Sequence, residues 1–465
     1  MPRDVDILII GAGPAGMTAA IRAQALGLTT VILDEHGAPG GQVWRAVERR
    51  SGAGQAEALG SDYARGNEVA NRFRTCGAEY RPETQVWQIE PGFRIFTLCK
   101  GEVDVISAKT VVIATGAMER ARPFPGWTLP GVMTVGAAQI LLKSADQIPD
   151  SPVWIAGCGP LVLLYANQLI AAGGRIAGIL DTAPSGSLGR ALPHLPRALG
   201  SLSDLAKGLR WLKALRHAGI PVSRGVTGFA AEGSNRLEAV SYRTAAGRSQ
   251  TVAADVLLVH EGVIPRIHVT LALGCKHAWN ALGQYFAPVS DEWGETSLPG
   301  LFVAGDTGGV AGAKAATLSG EIAAYGTARY LERLDDAGAR AGAASARRAL
   351  RRALALRPFL DALYPAPPMT AIGDETVVCR CEEVTAGSIR AAVRTGATGP
   401  NQAKAYTRCG MGPCQGRQCG YPTAGLIADM LGSTVADIGL ARVRPPLRPV
   451  TLGQLASLDE KRPAA

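Results

Sequence analysis

The sequence predicts an α/β protein with two doubly wound (Rossmann-like) domains and a small helical domain at its carboxyl end. Two stretches repeat the order strand, glycine-rich turn, helix and strand, one beginning at Val5 and the other at Val153. Five of the nine cysteines lie between Cys379 and Cys419, which is the spacing of a metal site. After about Tyr330 the chain is rich in Ala and Arg and then in Pro, which is typical of a helix followed by a linker.

Composition and charge exclude several classes of protein. The chain has 465 residues, of which 47% are hydrophobic and 19% charged, so it is neither disordered nor collagen-like. A net charge of +9 is small for this length, and nucleic acid is not an expected partner. The first strand begins too close to Met1 for a signal peptide, and no apolar run reaches the roughly 18 residues of a membrane span. We therefore expect a cytoplasmic protein with no transmembrane segment and no paired disulfides.

The positions of the strand ends predict how the domains are arranged along the chain. Apolar runs end at Ala114-Thr115-Gly116 and at Ala304-Gly305-Asp306, and open α/β sheets bind ligands at such carboxyl ends. Because the second of these runs lies far from the first glycine-rich turn, we expect a first domain built from two pieces with the second domain inserted between them. The predicted segments are 1–120 and 277–332 for the first domain, 121–276 for the inserted domain, 333–372 for the helix and linker, and 373–465 for the cysteine domain and tail.

The first glycine-rich turn predicts a dinucleotide site. In the pattern Gly11-x-Gly13-x-x-Gly16, the first glycine permits the turn, the second lets backbone amides approach a pyrophosphate, and the third lets the helix pack on the strand. Asp34 follows Gly16 by 18 positions, where a carboxylate can accept hydrogen bonds from a ribose. Spacing alone does not distinguish FAD from NAD.

Further short motifs resemble those of flavoproteins that bind two dinucleotides, the pyridine nucleotide-disulfide reductase type. They are Pro14-Ala15, Gly40-Gly41-Gln42, Ala114-Thr115-Gly116 and Gly305-Asp306. The resemblance implies FAD, with Asp306 on its ribityl or phosphate, the helix after Gly309–Gly312 facing the flavin pyrimidine, and the strand of Val86 touching adenine. The predicted cofactor-binding residues are Gly11, Gly13, Pro14, Ala15, Gly16, Asp34, Glu35, Gly41, Gln42, Val86, Ala114, Thr115, Gly116, Gly305, Asp306 and Ala313.

The second glycine-rich turn departs from the pattern. Val162 stands where the third glycine would be, and a branched side chain there moves the helix away from the strand. Asp181 at the ribose position disfavours NADP, and Arg266 replaces the Asn that the resembling family commonly has. The sequence therefore leaves open whether this site takes NAD or ATP or is only structural.

No catalytic base or redox-active pair is evident in the two doubly wound domains. They contain no Cys-x-x-Cys motif, so disulfide reduction is not expected, and Cys158 is expected to be a small buried residue. His260 and Glu261 follow a strand, and we expect structural roles for both. The catalytic residues stay unidentified.

The carboxyl-terminal cysteines predict a metal centre. Cys379-x-Cys381 and the pair Cys414 and Cys419 are separated by 32 residues, and four thiolates suit either a [2Fe-2S] cluster or a structural zinc. The segment between them has Thr385 as an expected helix N-cap. Cys409 precedes Cys414 by the same spacing that separates Cys414 from Cys419, so spacing does not fix the ligand set.

The residues that flank these cysteines show a closer resemblance to known families. The spacing resembles the bacterioferritin-associated-ferredoxin-like [2Fe-2S] domain, also found in nitrite reductases. The segments 379–385 (CRCEEVT) and 407–417 (TRCGMGPCQGR) are still more similar to the large FAD subunits of opine oxidases, D-hydroxyproline dehydrogenases and hydrogen cyanide synthase. This resemblance implies a [2Fe-2S] cluster on Cys379, Cys381, Cys414 and Cys419, with Cys409 nearby.

The same resemblance implies the function. In that family this polypeptide is the α subunit of a heteromeric dehydrogenase, and a β subunit of the D-amino-acid-oxidase type, with its own flavin, oxidises an amino or imino acid. Some complexes add a small [2Fe-2S] γ subunit, FMN between subunits, or ATP in the second site, and pass electrons to a quinone or another acceptor. Attachment to the periphery of the inner membrane is compatible with this family. Two alternatives stay open, a stand-alone NADH-dependent ferredoxin or rubredoxin-type reductase and a non-catalytic flavoprotein scaffold.

Overall fold

The computed structural model describes residues 4–56, 59–366 and 372–460. Residues 367–371 of the predicted linker lie outside these ranges, as do the ends of the first and last predicted segments.

The first part of the chain forms a sheet with a parallel core. The strands β2, β1 and β6 lie side by side in parallel with β3 at one edge, while β5 runs antiparallel to β6 and β4 runs antiparallel to β5. Every residue of β2 is buried, as expected for a parallel strand that is covered on both faces. The elements are β1 (Asp4–Ile10), α1 (Pro14–Ala25), β2 (Thr30–Leu33), α2 (Val47–Gly52), α3 (Ser61–Arg74), β3 (Glu79–Arg81), β4 (Thr84–Glu90), β5 (Arg94–Cys99) and β6 (Glu102–Ile113).

The second part forms an all-parallel sheet in the order β11, β10, β9, β15, β8, and a three-stranded antiparallel sheet, β12 to β14, that the sequence did not indicate. The two parallel sheets confirm the predicted α/β, Rossmann-like class. The elements are β7 (Ala117–Glu119), β8 (Val132–Thr134), α4 (Val135–Ala145), β9 (Val153–Gly157), α5 (Pro160–Ala171), β10 (Ile176–Asp181), α6 (Ser187–Ala191), α7 (Leu195–Ala198), α8 (Leu202–His217), β11 (Val222–Arg224), β12 (Val226–Glu232), β13 (Ala239–Thr244), β14 (Ser249–Ala253), β15 (Val256–His260) and β16 (Val263–Pro265).

The chain then returns to the first sheet. Strand β19 pairs in parallel with the end of β6, and the helix after it packs along α1. A Cβ on Gly320 would lie 2.1 Å from the carbonyl oxygen of Ala15, so only glycine permits this approach. The elements are α9 (His268–Ala272), β17 (His277–Asn280), β18 (Tyr285–Pro288), β19 (Leu301–Val303) and α10 (Ala313–Tyr330).

Two helices and a small cysteine-bearing domain complete the described chain. Helix α11 (Asp336–Ala353) packs on α10, and α12 (Arg357–Leu363) packs against α6 and α7 through a small apolar cluster. The last domain has its own core. Its elements are β20 (Val377–Cys379), β21 (Val384–Thr385), α13 (Ala386–Arg394), α14 (Pro400–Thr407), α15 (Gly420–Leu431), α16 (Val435–Ile438) and α17 (Leu452–Glu460).

Candidate functional site

The turn between β1 and α1 is held by backbone contacts that exclude side chains. A Cβ on Gly16 would lie 1.8 Å from the carbonyl oxygen of Gly11, and a Cβ on Gly11 would lie 2.5 Å from that of Ala114. Helix α1 begins at Pro14 after Gly13, which offers no side-chain cap. Its first amide groups are therefore available to an anion, as in a pyrophosphate site.

The two acidic residues after β2 have different partners. Asp34 accepts hydrogen bonds from the backbone of Ala12 (2.6 Å) and from the amide and ring nitrogen of His36 (2.8 and 2.9 Å), so it holds the glycine-rich turn. Glu35 instead pairs with Arg266, 3.3 Å away, and with Arg448. Although burial alone would raise it, these two arginines hold the pKa of Glu35 below its ordinary value.

The two other predicted strand-end motifs meet at the carboxyl edge of the first sheet. The hydroxyl of Thr307 accepts a hydrogen bond from the amide of Gly116 (2.8 Å), which joins the end of β6 to the turn after β19. Asp306 accepts from the amides of Ala311 and Gly312 (2.8 and 3.0 Å). It thereby fixes the loop from which α10 begins.

All but one of the predicted cofactor-binding residues line a single cavity of about 1700 Å³. The exception is Gly16, which lies beneath the turn where α1 meets β1. Cavities for a single small ligand usually measure about 300–1000 Å³, so this one has room for a dinucleotide and a further group. Its lining residues include Gly11, Gly13, Pro14, Ala15, Asp34, Glu35, Gly41, Gln42, Val86, Ala114, Thr115, Gly116, Gly305, Asp306 and Ala313.

A buried lysine that the sequence did not indicate also lines this cavity. Lys143 of α4 donates hydrogen bonds to the carbonyl oxygens of Gln42 and Val43 and to the side chain of Gln139 (3.2, 3.0 and 2.9 Å). Gln139 continues to Gln168, so a polar chain crosses between the two domains. Burial, assisted by a nearby arginine, lowers the pKa of Lys143 to about 7. Because Gln42 and Val43 lie about 100 positions before Lys143 in the sequence, no local pattern could have indicated these contacts.

The second glycine-rich turn packs closely on the end of β15 at its first glycine. A Cβ on Gly157 would lie 2.0 Å from the carbonyl oxygen of His260, and Val162 is fully buried in the core shared by both domains. Asp181 accepts from the amide of Ala183 (3.0 Å), and burial raises its pKa. The thiol of Cys158 is buried, and burial raises its pKa to about 12, as expected of an inert residue.

The linker lies over this second turn. Tyr364, directly after α12, is close enough to Asp181 and Cys158 for both to reinforce the effect of burial, which raises the tyrosine pKa to about 12. Arg357 and Asp361 of α12 interact electrostatically with Tyr285, as does Asp306. Arg357 and Leu360 of α12 line the large cavity, and so do Pro160 and Leu161 at the start of α5.

His260 and Glu261 make structural ion pairs beside the end of β15. Glu261 has a fully buried side chain that pairs with Arg122 at 2.8 Å, and burial raises its pKa. His260 contacts Glu119 at 2.7 Å, and Glu119 in turn accepts from the amide of Gly136. These contacts are consistent with the structural roles expected of both residues, which stay predictions.

The five clustered cysteines form two neighbouring sets. The sulfurs of Cys379, Cys409 and Cys419 all lie within 4.8 Å of one another. Cys381 is hydrogen-bonded to Cys414 and is close enough to Cys379 to interact electrostatically. A Cβ on Gly412 would lie 2.2 Å from that of Cys381, so the loop can close over this thiol only because residue 412 is glycine. Thr385 caps α13 as predicted.

The cysteine domain faces the cavity. Cys414, Arg417 and Arg448 are among the residues that line it, together with Arg266 and His268 of the first two domains. Arg417 donates hydrogen bonds to the carbonyl oxygens of Cys414 and Leu447 (3.1 and 2.8 Å). The predicted cofactor residues and one of the predicted metal ligands therefore border the same space.

Comparison with known proteins identifies the family. The family described as pyridine nucleotide-disulphide oxidoreductase matches residues 5–320, and the sarcosine oxidase A3 domain matches residues 374–458. The A-type subunit of opine oxidase from Rhizobium meliloti (strain 1021) is 43% identical over 98% of this chain and 99% of its own length. The chain belongs to the family of A-type opine oxidase subunits. It is thus a subunit of an FAD-dependent oxidoreductase, as the resemblance implied.

More distant relatives extend this family. Hydrogen cyanide synthase subunit HcnB of Pseudomonas aeruginosa is 34% identical over 97% of this chain and 98% of its own length. The crystal structure of L-proline dehydrogenase from P. horikoshii matches this structure with a TM-score of 0.71 and 21% sequence identity. The match covers 98% of this chain and 80% of the L-proline dehydrogenase chain. This last likeness shows that the two proteins share a fold. Among the described residues, no helix is both long and apolar enough to cross a bilayer.

Proposed function

We propose that this chain is the FAD- and [2Fe-2S]-carrying electron-transfer subunit of a heteromeric dehydrogenase for an amino or imino acid. One observation carries the proposal: the predicted FAD residues and Cys414 of the cysteine domain line the same cavity. A flavin held there and a cluster held by the cysteines would be neighbours. The names of the relatives, which are subunits of an opine oxidase and of hydrogen cyanide synthase, support oxidation of a C–N bond by a complex.

The residues present fit FAD. Gly13 and Gly41 pack together at the amino end of α1, where a Cβ on Gly41 would lie 3.0 Å from the Cα of Gly13, and backbone without side chains at a helix amino end suits a pyrophosphate. Asp306 positions the amino end of α10, whose dipole would stabilise negative charge on a reduced flavin ring. Lys143 fixes the backbone of Gln42 and Val43 at the cavity wall.

The cysteine domain fits a cluster bound by four thiolates. When bound, a flavin takes two electrons and releases them singly, and a [2Fe-2S] cluster carries one at a time. Cys379, Cys381, Cys414 and Cys419 are the proposed ligands, and Cys409 is the neighbouring thiol that could replace one of them. Arg417 fixes the carbonyl of Cys414 and adds positive charge beside the thiolates.

Helix α12 argues against the stand-alone NADH-dependent reductase. In such an enzyme a nicotinamide bound to the second domain must reach the flavin in the first. Here Tyr364, directly after α12, lies by Asp181 and Cys158, where the nucleotide of the second domain would bind. We therefore propose that the second domain does not deliver hydride, and that electrons come from a β subunit of the amino-acid-oxidase type. A γ subunit, an interfacial FMN and a quinone acceptor are compatible with this arrangement.

Cysteine variants test the cluster. In Cys414→Ser we expect loss of the visible absorption of the cluster with unchanged flavin content, and in the matched variant Cys409→Ser we expect both to be retained. A normal cluster spectrum in Cys414→Ser, or its loss in Cys409→Ser, would show that the ligand assignment is wrong. A metal analysis that finds one zinc and no iron per chain would show that the cysteines hold a structural zinc and not a cluster.

Stopped-flow mixing with NADH tests the direction of electron flow. We expect no rapid bleaching of the flavin by NADH, no turnover of opines, proline derivatives or glycine by the isolated chain, and reduction of the flavin once the β subunit is added together with its substrate. Rapid bleaching by NADH alone would support the reductase. A flavin and cluster that an active partner cannot reduce would support the scaffold.

A further inference from the structure

The segment 187–217, which contains α6, α7 and α8, carries an unusual surface. It has six Lys or Arg residues and a single acid, Asp204, so 31 residues hold a net +5 out of the +9 of the whole chain. The acid is already paired with Lys207 at 3.1 Å. Four of the cations are exposed and make no ion pair among the described residues, namely Arg197, Arg210, Lys213 and Arg216.

The same segment exposes apolar side chains. Five of the large apolar residues that the described part of the chain leaves exposed lie here, with 50% to 68% of their surface accessible: Leu188, Leu192, Leu199, Leu202 and Leu209. Leu202 and Leu209 are seven positions apart on α8 and share one face of that helix. Exposed apolar side chains that are concentrated in one segment indicate a surface that binds another protein or a membrane.

We propose that this surface docks on an anionic lipid bilayer. Leucines interspersed with Lys and Arg on short helices are the composition of segments that lie in a membrane interface, where cations meet lipid phosphates and leucines enter the acyl boundary. Protein interfaces share the enrichment in Arg, but they favour aromatic residues and Met, are depleted of Lys, and rarely use Leu as a hot spot. Trp211 is the one aromatic residue of the segment, and it is half-buried.

The other side of α8 connects this surface to the cavity. Lys207, Arg210, Trp211 and Ala214 line the cavity, and Lys207 bridges to Asp62 across its rim. Docking of segment 187–217 would therefore place one mouth of the cavity beside the lipid. A lipid-soluble electron acceptor would then have a short route to the cavity.

Vesicle sedimentation of the full chain tests the proposal. With vesicles of phosphatidylcholine containing about a third phosphatidylglycerol, we expect binding that weakens as salt is raised, and little binding to phosphatidylcholine alone. Arg197→Gln/Lys213→Gln/Arg216→Gln removes three cations, each worth about five-fold in partitioning, so binding should fall by about a hundred-fold. The matched control Arg72→Gln/Arg236→Gln/Arg248→Gln removes three exposed cations elsewhere and should bind as the wild type does.

The leucines are tested separately. Leu202→Ser/Leu209→Ser should lower binding to anionic vesicles by at least about ten-fold, whereas Leu282→Ser, on a distant hairpin, should not. Flavin content and the unfolding midpoint show whether each variant is folded. The proposal is overturned if the wild type does not bind anionic vesicles, or if both sets of variants bind like their controls. If the variants of segment 187–217 still bind vesicles but no longer bind the β subunit, the surface belongs to a protein interface instead.

Discussion

The first doubly wound domain has its glycine-rich turn and its ribose-position acid, Asp34, on the large cavity, whereas the corresponding glycines and acid of the second domain, Gly157, Gly159 and Asp181, do not line it. Both begin with a strand, a Gly-x-Gly turn and a proline-started helix. In the second domain, however, Tyr364 and α12 lie by the turn, and the buried pair of Glu261 and Arg122 fills the end of β15. We therefore expect the groups that pack beside such a turn, and not the turn alone, to decide whether a nucleotide can bind there.

The largest expected effect comes from breaking the ion pair between Arg122 and Glu261 in the second domain. Arg122→Ala leaves the fully buried Glu261 carboxylate without its cation, and we expect the free energy of unfolding to fall by about 3–5 kcal/mol. Guanidinium denaturation measures this loss. Arg340→Ala, which removes an exposed pair on α11, should leave the denaturation midpoint nearly unchanged, because water and salt screen such a pair. Equal losses in the two variants would mean that the second domain does not depend on this pair.

A glycine in the open turn should have the next largest effect. In Gly16→Ala the new methyl group would lie 1.8 Å from the carbonyl oxygen of Gly11, so the helix must shift and the pyrophosphate cradle opens. We expect a cost of about 1–3 kcal/mol and a clear loss of flavin per chain, read from absorbance after gel filtration. Gly189→Ala, which meets nothing within 4 Å, is the control. Full flavin retention in Gly16→Ala would contradict a flavin in this turn.

The sequence predicted the parts of this contrast that depend on local pattern. Glycine spacing and strand ends marked the turn at Gly11, and Thr385 marked the start of α13. The covering of the second turn was not predictable, because Tyr364 follows Asp181 by nearly two hundred positions and only the packing of α12 on α6 brings them together. Spacing also could not show that Cys409 joins Cys379 and Cys419, because that grouping depends on how the last loop folds back.

Lys143, at the boundary of the two domains, predicts a dependence of stability on pH. Its pKa of about 7 in the folded chain lies below the roughly 10.4 of an unfolded lysine. Between these values the unfolded state binds more protons, so stability should rise with pH, by up to about 1.4 kcal/mol per pH unit. Lys143→Met should lack this rise from pH 7 to 9.5 in parallel denaturant titrations. Identical slopes would show that the lysine stays charged, held by its three acceptors.

The smallest expected effect concerns the arginine that the carboxyl-terminal segment contributes to the open edge. Arg448 and Arg266 both pair with the partly exposed Glu35, so Arg448→Gln should cost at most about 1 kcal/mol and Glu35→Gln somewhat more. In a double-mutant cycle the coupling should lie between about 0.5 and 1 kcal/mol and shrink in high salt. Because these arginines lower the pKa of Glu35, the pair stabilises the fold above the unfolded value near 4.3, and its contribution is lost as the pH falls below that value. A coupling of zero at neutral pH would mean that other contacts hold the cysteine domain over the cavity, such as the apolar contacts of Val450 and Leu458 with Trp87 and the hydrogen bond that the amide of Phe286 donates to Tyr421.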